Sequence, residues 1–202
     1  MLLPISRNHK CIPTQMMKSL VNLNLDYNSN IGSNGLAGIA KGLCSNNTLK
    51  KLSLRYCGID ENGGKPLCQI LSSPKIVIDS LDLTGNQLGG EGLCEMCPGI
   101  ILNSKLQALN LSDNSIRPKD VQELKQFSDA IKDHKSLTEI NFLYNNIGVE
   151  GGLALLEGIE KNKLITSFIA DTSLPSDIYS VLNRVATKGK GKKKKAKKKK
   201  KK

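Results

Sequence analysis

Cys94 and Cys97 stand in a CxxC spacing, the arrangement that can offer two ligands to a metal ion or form a redox-active dithiol. A zinc centre needs two more ligands, and no second ligand pair at zinc spacing accompanies CEMC in the sequence. His9 and His134 are isolated; both are expected in solvent-facing loops, His134 within KDHKS just ahead of an apolar alternation. The sequence holds no P-loop, no GxGxxG after a strand, no HExxH and no nucleophile elbow. The chain therefore reads as non-enzymatic, with no cofactor or metal, and the chemistry left to it is that of binding.

Lysine supplies one binding element. The formal charge of the 202 residues is +12, yet the 15 residues from Lys188 to Lys202 hold 12 lysines and no acid, which leaves the rest neutral. Such a tail, with nothing apolar to bury, is expected to be disordered and to seek an acidic partner: tubulin tails, nucleic acid or another anionic surface. The contacting side chains would be Lys192, Lys193, Lys194, Lys195, Lys197, Lys198, Lys199 and Lys200. No aromatic residue interrupts them, which argues against base stacking.

The elements that must position everything else are repeats. The pattern LxxLxLxxNxL fits Ile78, Leu81, Leu83, Asn86 and Leu88, and recurs before and after them. Leu20, Leu23, Leu25 and Asn28 begin the series, with one extra residue before Ile31. Leu49, Leu52, Leu54, Cys57 and Ile59 follow; Leu106, Leu109, Leu111, Asn114 and Ile116 come fourth. Leu137, Ile140, Phe142, Asn145 and Ile147 are fifth, and a decayed sixth reads Leu164, Ser167, Ile169, Thr172 and Leu174. The start-to-start spacings of 29, 29, 28, 31 and 27 residues are those of a solenoid.

Each LxL portion alternates as a short strand does, with its leucines inward, and the following Asn turns the chain where its amide can satisfy loop backbone groups. GLAGIAKGL, VQELKQFSDAI and GLALLEGI carry the three- and four-residue apolar steps of helices. Pro66 and Pro118 fall at helix openings, whereas Pro98 is expected to bend or end the third helix. In this frame Cys68 and Cys97 share a small-or-apolar helix column with Ala40 and Leu156, so a core role outweighs metal or redox chemistry. Residues 1–19 match no repeat and are read as an N-terminal segment or partial cap, 20–187 as the repeat domain, and 188–202 as the tail.

If the leucines face inward, the residues beside them face a groove. The position between the paired leucines is Asn24, Ser53, Asp82, Asn110, Asn141 and Phe168, and the position before the Asn column is Tyr27, Tyr56, Gly85, Asp113, Tyr144 and Asp171. Three of the four tyrosines share that last column. Tyrosine is enriched at interface anchors, and it also suits strands, so both readings stand. Arg55 and Lys51 with Asp26 and Asp82 give mixed charge rather than a nucleic-acid stripe. The candidate protein-binding set is Asn24, Tyr27, Arg55, Tyr56, Asp82, Asn110, Asn141, Tyr144 and Phe168.

With its 28- or 29-residue units, LxxLxLxxNxL strands, GxxGL openings such as Gly89 to Leu93 and amphipathic helices, the chain resembles the ribonuclease-inhibitor-like class of leucine-rich repeats. That resemblance implies an α/β solenoid, a curved horseshoe segment with parallel strands on the concave face and helices on the convex face. The class spans inhibitors, innate-immune sensor domains, a GTPase-activating protein and ciliary structural proteins, so it points to fold more than to task. The expected function is a protein-binding scaffold or adaptor with a polybasic tail. The alternatives are a ciliary, axonemal or other microtubule-associated component, an RNA- or ribosome-associated protein acting through the tail, and a regulator of a small GTPase. No stretch has the roughly 18 apolar residues that span a bilayer, and MLLPI is too short for a signal-peptide core. The expected compartment is the cytoplasm, with the cytoskeleton or cilium and the nucleus as alternatives.

Overall fold

The computed structural model describes residues 19–43 and 45–183. Six strands, β1 (Asn22–Asn24), β2 (Lys51–Ser53), β3 (Ser80–Asp82), β4 (Ala108–Asn110), β5 (Glu139–Asn141) and β6 (Ser167–Ile169), form one parallel sheet in sequence order. A helix follows each strand: α1 (Gly32–Leu43), α2 (Gly64–Ser72), α3 (Gly89–Leu102), α4 (Val121–Ile131), α5 (Gly148–Lys161) and α6 (Ser176–Leu182). A 3-10 turn, Glu61–Gly63, opens α2. The register aligns Leu23, Leu52, Leu81, Leu109, Ile140 and Phe168 across the sheet. From Leu52 onward every member of that row is buried, and full burial of such a side chain stabilises by about 1.5–3 kcal/mol. This arrangement is the leucine-rich repeat solenoid anticipated from the spacing.

Two rows of buried amides tie the repeats together. Asn86 Nδ2 donates to the carbonyls of Leu54 and Leu83, both at 2.8 Å, while its Oδ1 accepts from the N–H groups of Cys57 and Ile59, both at 3.1 Å. Asn145 makes the same set of bonds in the fifth repeat, toward Leu111, Phe142, Asn114 and Ile116. At Cys57, the thiol substitutes for the missing amide by donating to the Leu25 carbonyl at 3.1 Å.

The second row lies at the other end of the strands. Asn103 Oδ1 accepts from the N–H groups of Lys105 and Leu106, and Asn103 Nδ2 donates to the Leu71 carbonyl. Asn46 and Asn162 hold the same place in their repeats, and so does His134, whose Nδ1 accepts from Ser136 and Leu137. His134 is 5% exposed, which corrects its expected place in a solvent-facing loop: its ring fills a structural column.

The sixth repeat corrects the expected frame by one residue. Its motif starts at Ile165 rather than Leu164, so Phe168 is buried and Ser167 and Ile169 flank it on the open face. A one-residue slip exchanges the two faces of a strand, which is why Phe168 moves from the groove set into the core. Its ring stacks on Phe142 at 5.5 Å, and Phe142 meets Phe127 of α4 at 5.3 Å, so three aromatic rings fill the C-terminal part of the core. Pro98 does not end α3, which runs on to Leu102 with the proline on its exposed side.

The two ends of the sheet differ. Beside β6, Leu174 of the preceding loop and Ile178 and Leu182 of α6 are buried, and Asn183 Oδ1 accepts from the Ala170 N–H. Beside β1, Leu20, Leu23 and Leu25 are only partly buried. The N-terminal segment read as a partial cap falls, apart from Ser19, outside the described residues, and the lysine tail does so entirely.

Candidate functional site: a tyrosine-bearing rim on the concave face

Four of the six strands, β1, β3, β4 and β5, end in a turn held by their own last side chain. Asn24 Oδ1 accepts from the Asp26 N–H, Asn110 Oδ1 from Ser112 and Asn141 Oδ1 from Leu143, at 2.8, 3.1 and 3.0 Å. Asp82 Oδ1 accepts from both the N–H and the hydroxyl of Thr84. Four of the expected groove residues are thus turn-builders as well as lining. Where the second repeat has Ser53 instead, Asp26 of the first reaches across, accepting from the Ser53 hydroxyl and from the Arg55 N–H at 3.0 Å. Arg55 itself is half-buried beside this bridge, with its Nε enclosed and without a hydrogen-bond partner.

The next residue of every such turn is forced into the left-handed region. Tyr27, Tyr56, Gly85, Asp113 and Tyr144 have φ of 60, 51, 70, 54 and 60°. Glycine and aspartate are ordinary occupants of that conformation, but a bulky side chain there is strained by about 1–2 kcal/mol. The tyrosines are therefore not strand residues, and strand propensity does not account for them. They are also exposed: Tyr27 69%, Tyr56 39% and Tyr144 74%. Tyr27 and Tyr56 stack with ring centroids 5.3 Å apart and planes within 8°.

Below the rim, the concave face is shallow, lined in its middle by Ser80, Asp82, Ala108, Asn110, Glu139, Asn141, Ser167 and Ile169. It offers polar atoms and small side chains rather than an enclosed pocket. Lys51 and Glu139, in the strand position before the buried row, are exposed on this face, and sequence reasoning on the groove missed Glu139 and Ile169. The signal for the left-handed column was present, in Gly85 and Asp113 alternating with tyrosine.

The remaining reactive groups do not converge. Cys97 is buried against the Leu93 carbonyl, and burial pushes its thiol up to about 12, so it stays protonated and inert. Cys94 is half-buried, with its thiol on Gln126 Oε1 at 2.8 Å. Among the described residues no three metal-ligating side chains cluster. Nor, among them, is any helix long and apolar enough to cross a membrane.

A leucine-rich repeat family model matches residues 45–68, 78–97, 102–125 and 133–156, the same units that build the sheet. The chain belongs to the leucine-rich repeat family. Within it the likeness is to the ribonuclease-inhibitor kind: over 112 residues the chain is 33% identical to ribonuclease inhibitor of Mus musculus, covering 55% of this chain and 24% of that one. Over 148 residues it is 27% identical to a protein phosphatase 1 regulatory subunit 37 homolog of Caenorhabditis briggsae, covering 73% of this chain and 16% of that one. This leucine-rich repeat chain spans less than a quarter of the length of either relative. Among solved structures, the tropomodulin C-terminal domain of Caenorhabditis elegans matches with a TM-score of 0.57 at 13% identity, covering 74% of this chain and 93% of that domain. That likeness is one of fold.

Proposed function

We propose that the chain is a non-catalytic scaffold that grips another protein across its concave face, with Tyr27, Tyr56 and Tyr144 as anchors. The observation that carries this reading is the strained placement of three exposed tyrosines in one column. A turn that served only the fold would be less strained with glycine, asparagine or aspartate, as at Gly85 and Asp113. Rigid, amphipathic tyrosines are instead what interface centres use. The names of the two relatives, an inhibitor and a regulatory subunit, are those of proteins that act on other proteins. The lysine tail is the second contact, an electrostatic one with an acidic partner.

The test is the triple variant Tyr27→Asn, Tyr56→Asn, Tyr144→Asn, since asparagine tolerates left-handed backbone. It should melt no lower than the parent and lose the proteins that co-purify with the parent at moderate salt. Retention of the same set of proteins by the triple variant would remove the tyrosines from the binding surface. A chain ending at Thr187, compared in parallel, separates partners held by the lysines, which should also wash off with salt.

A further inference from the structure

The charges of the concave face are sorted along the solenoid. On the strand positions that flank the buried row, and in the residues from there to the Asn column, repeats three to six carry Asp82, Asp113, Glu139 and Asp171 and no lysine or arginine; Arg117 and Lys119 lie further on, in the loop that leads into α4. Lys51 and Arg55, the cations of this face, both sit on the second repeat. Asp113 and Glu139 are exposed, and Asp82 and Asp171 half-buried. The neighbours of Glu139 across the sheet are Ala108 and Ser167, too small to cover it or to neutralise it.

The chain leaves the described fold at the acidic end. Asn183 is pinned to Ala170, the residue just past β6, by its side chain. The 19 residues that follow it include every lysine of the tail. Extended, they reach about 60 Å, at roughly 3.3 Å per residue. Six strands set about 4.8 Å apart are only about 24 Å across, so the tail can lie along the whole face with slack.

We propose that residues 188–202 dock on the acidic half of their own concave face, between the β3 and β6 repeats. Tethering raises the local lysine concentration into a range where weak ion pairs are occupied. The consequence, which rests on the face being a binding surface, is competition: an acidic partner that draws the tail away uncovers the face, and a protein seated there releases the tail. Docking itself does not depend on that reading and is measured without any partner.

The experiment is zero-length carbodiimide crosslinking of the full chain, which joins lysine amines to carboxylates in contact, with the crosslinks mapped in the monomeric product. At low salt, tail lysines should join Asp113 and Glu139 foremost, about threefold or more above the exposed helix carboxylates Glu91, Glu150 and Glu160, and the excess should vanish near 1 M salt. A variant carrying Asp82→Asn, Asp113→Asn, Glu139→Gln and Asp171→Asn keeps the turn chemistry, since asparagine already fills the Asp82 column at three other repeats. Its thermal midpoint should match the parent's, and its remaining crosslinks should spread evenly over the helices. Crosslinks spread evenly in the parent chain, or confined to covalent dimers, would overturn the proposal. Loss of partners on mutating the three tyrosines is read separately, so the two ideas fail independently.

Discussion

Tyr56 lies directly over the backbone of Gly85, so closely that a Cβ on Gly85 would come within 2.1 Å of a Tyr56 ring carbon. The glycine thus serves two needs at once, a φ of +70° and room for the ring that in turn supports Tyr27. Gly85→Ala should be destabilising through both. Gly89 provides the control, with a φ of +58° and nothing within 4 Å of where a methyl group would stand. Gly89→Ala should cost about 1–2 kcal/mol from backbone strain alone, whereas Gly85→Ala should cost more and weaken the near-ultraviolet dichroism of the tyrosine pair. Equal costs and an unchanged spectrum would show that Tyr56 does not rest on Gly85.

The asparagine row predicts an order of stabilities. Asn86 makes four hydrogen bonds of 3.1 Å or shorter, two on each side of its amide. Asn114 donates to Leu83 and Ser112, but its Oδ1 is buried and accepts none. Each buried group left unpaired costs about 1–3 kcal/mol. Asn86→Ala should therefore lower the melting point most, Asn114→Ala less, and Lys105→Ala, a surface change, least. A common value for all three would break the assignment of the row to interrepeat bonding.

Phe168 shows where the sequence was legible and where it was not. Five strands could be placed from leucine spacing alone, because each repeat offers one choice of register. The sixth offers two, Leu164 or Ile165, and the leucine is the one that lies exposed. What decides between them is Asn162, three residues before Ile165 just as Asn103 is three before Leu106 and Asn46 three before Leu49. That second polar row is hidden in sequence because asparagines and a histidine among lysines look like ordinary loop residues. The tyrosine rim was legible as a column; its left-handed backbone was signalled there only by Gly85 and Asp113, and its cause is the set of turn bonds made by Asn24, Asn110 and Asn141. The corrected register makes its own prediction: Phe168→Ala should cost about 3–5 kcal/mol in urea unfolding. Ile169→Ala, one residue on, should cost no more than about 1 kcal/mol. The reverse order would favour the frame that starts at Leu164.

His134 gives the fold a pH dependence of definite sign. Its Nδ1 accepts two backbone N–H groups, so the ring must be neutral at that nitrogen, and burial pushes its pKa below the ordinary 6.5. In the unfolded chain the ring binds a proton near pH 6.5; in the folded chain it resists until lower pH. Stability from this site is thus fully present above pH 6.5 and declines as the pH falls below it toward the folded value. Nε2 is also buried without a partner, so the histidine is an imperfect tenant of a column that asparagine fills at 46, 103 and 162. His134→Asn should keep both backbone bonds, match or exceed the parent's melting point at pH 7.5, and flatten the fall in melting point as the pH drops below 6.5. His134→Ala, which strips the acceptor from Ser136 and Leu137, should be less stable than the parent at pH 7.5. If His134→Asn retained the parent's full slope in that window, the titrating group would have to lie elsewhere in the fold.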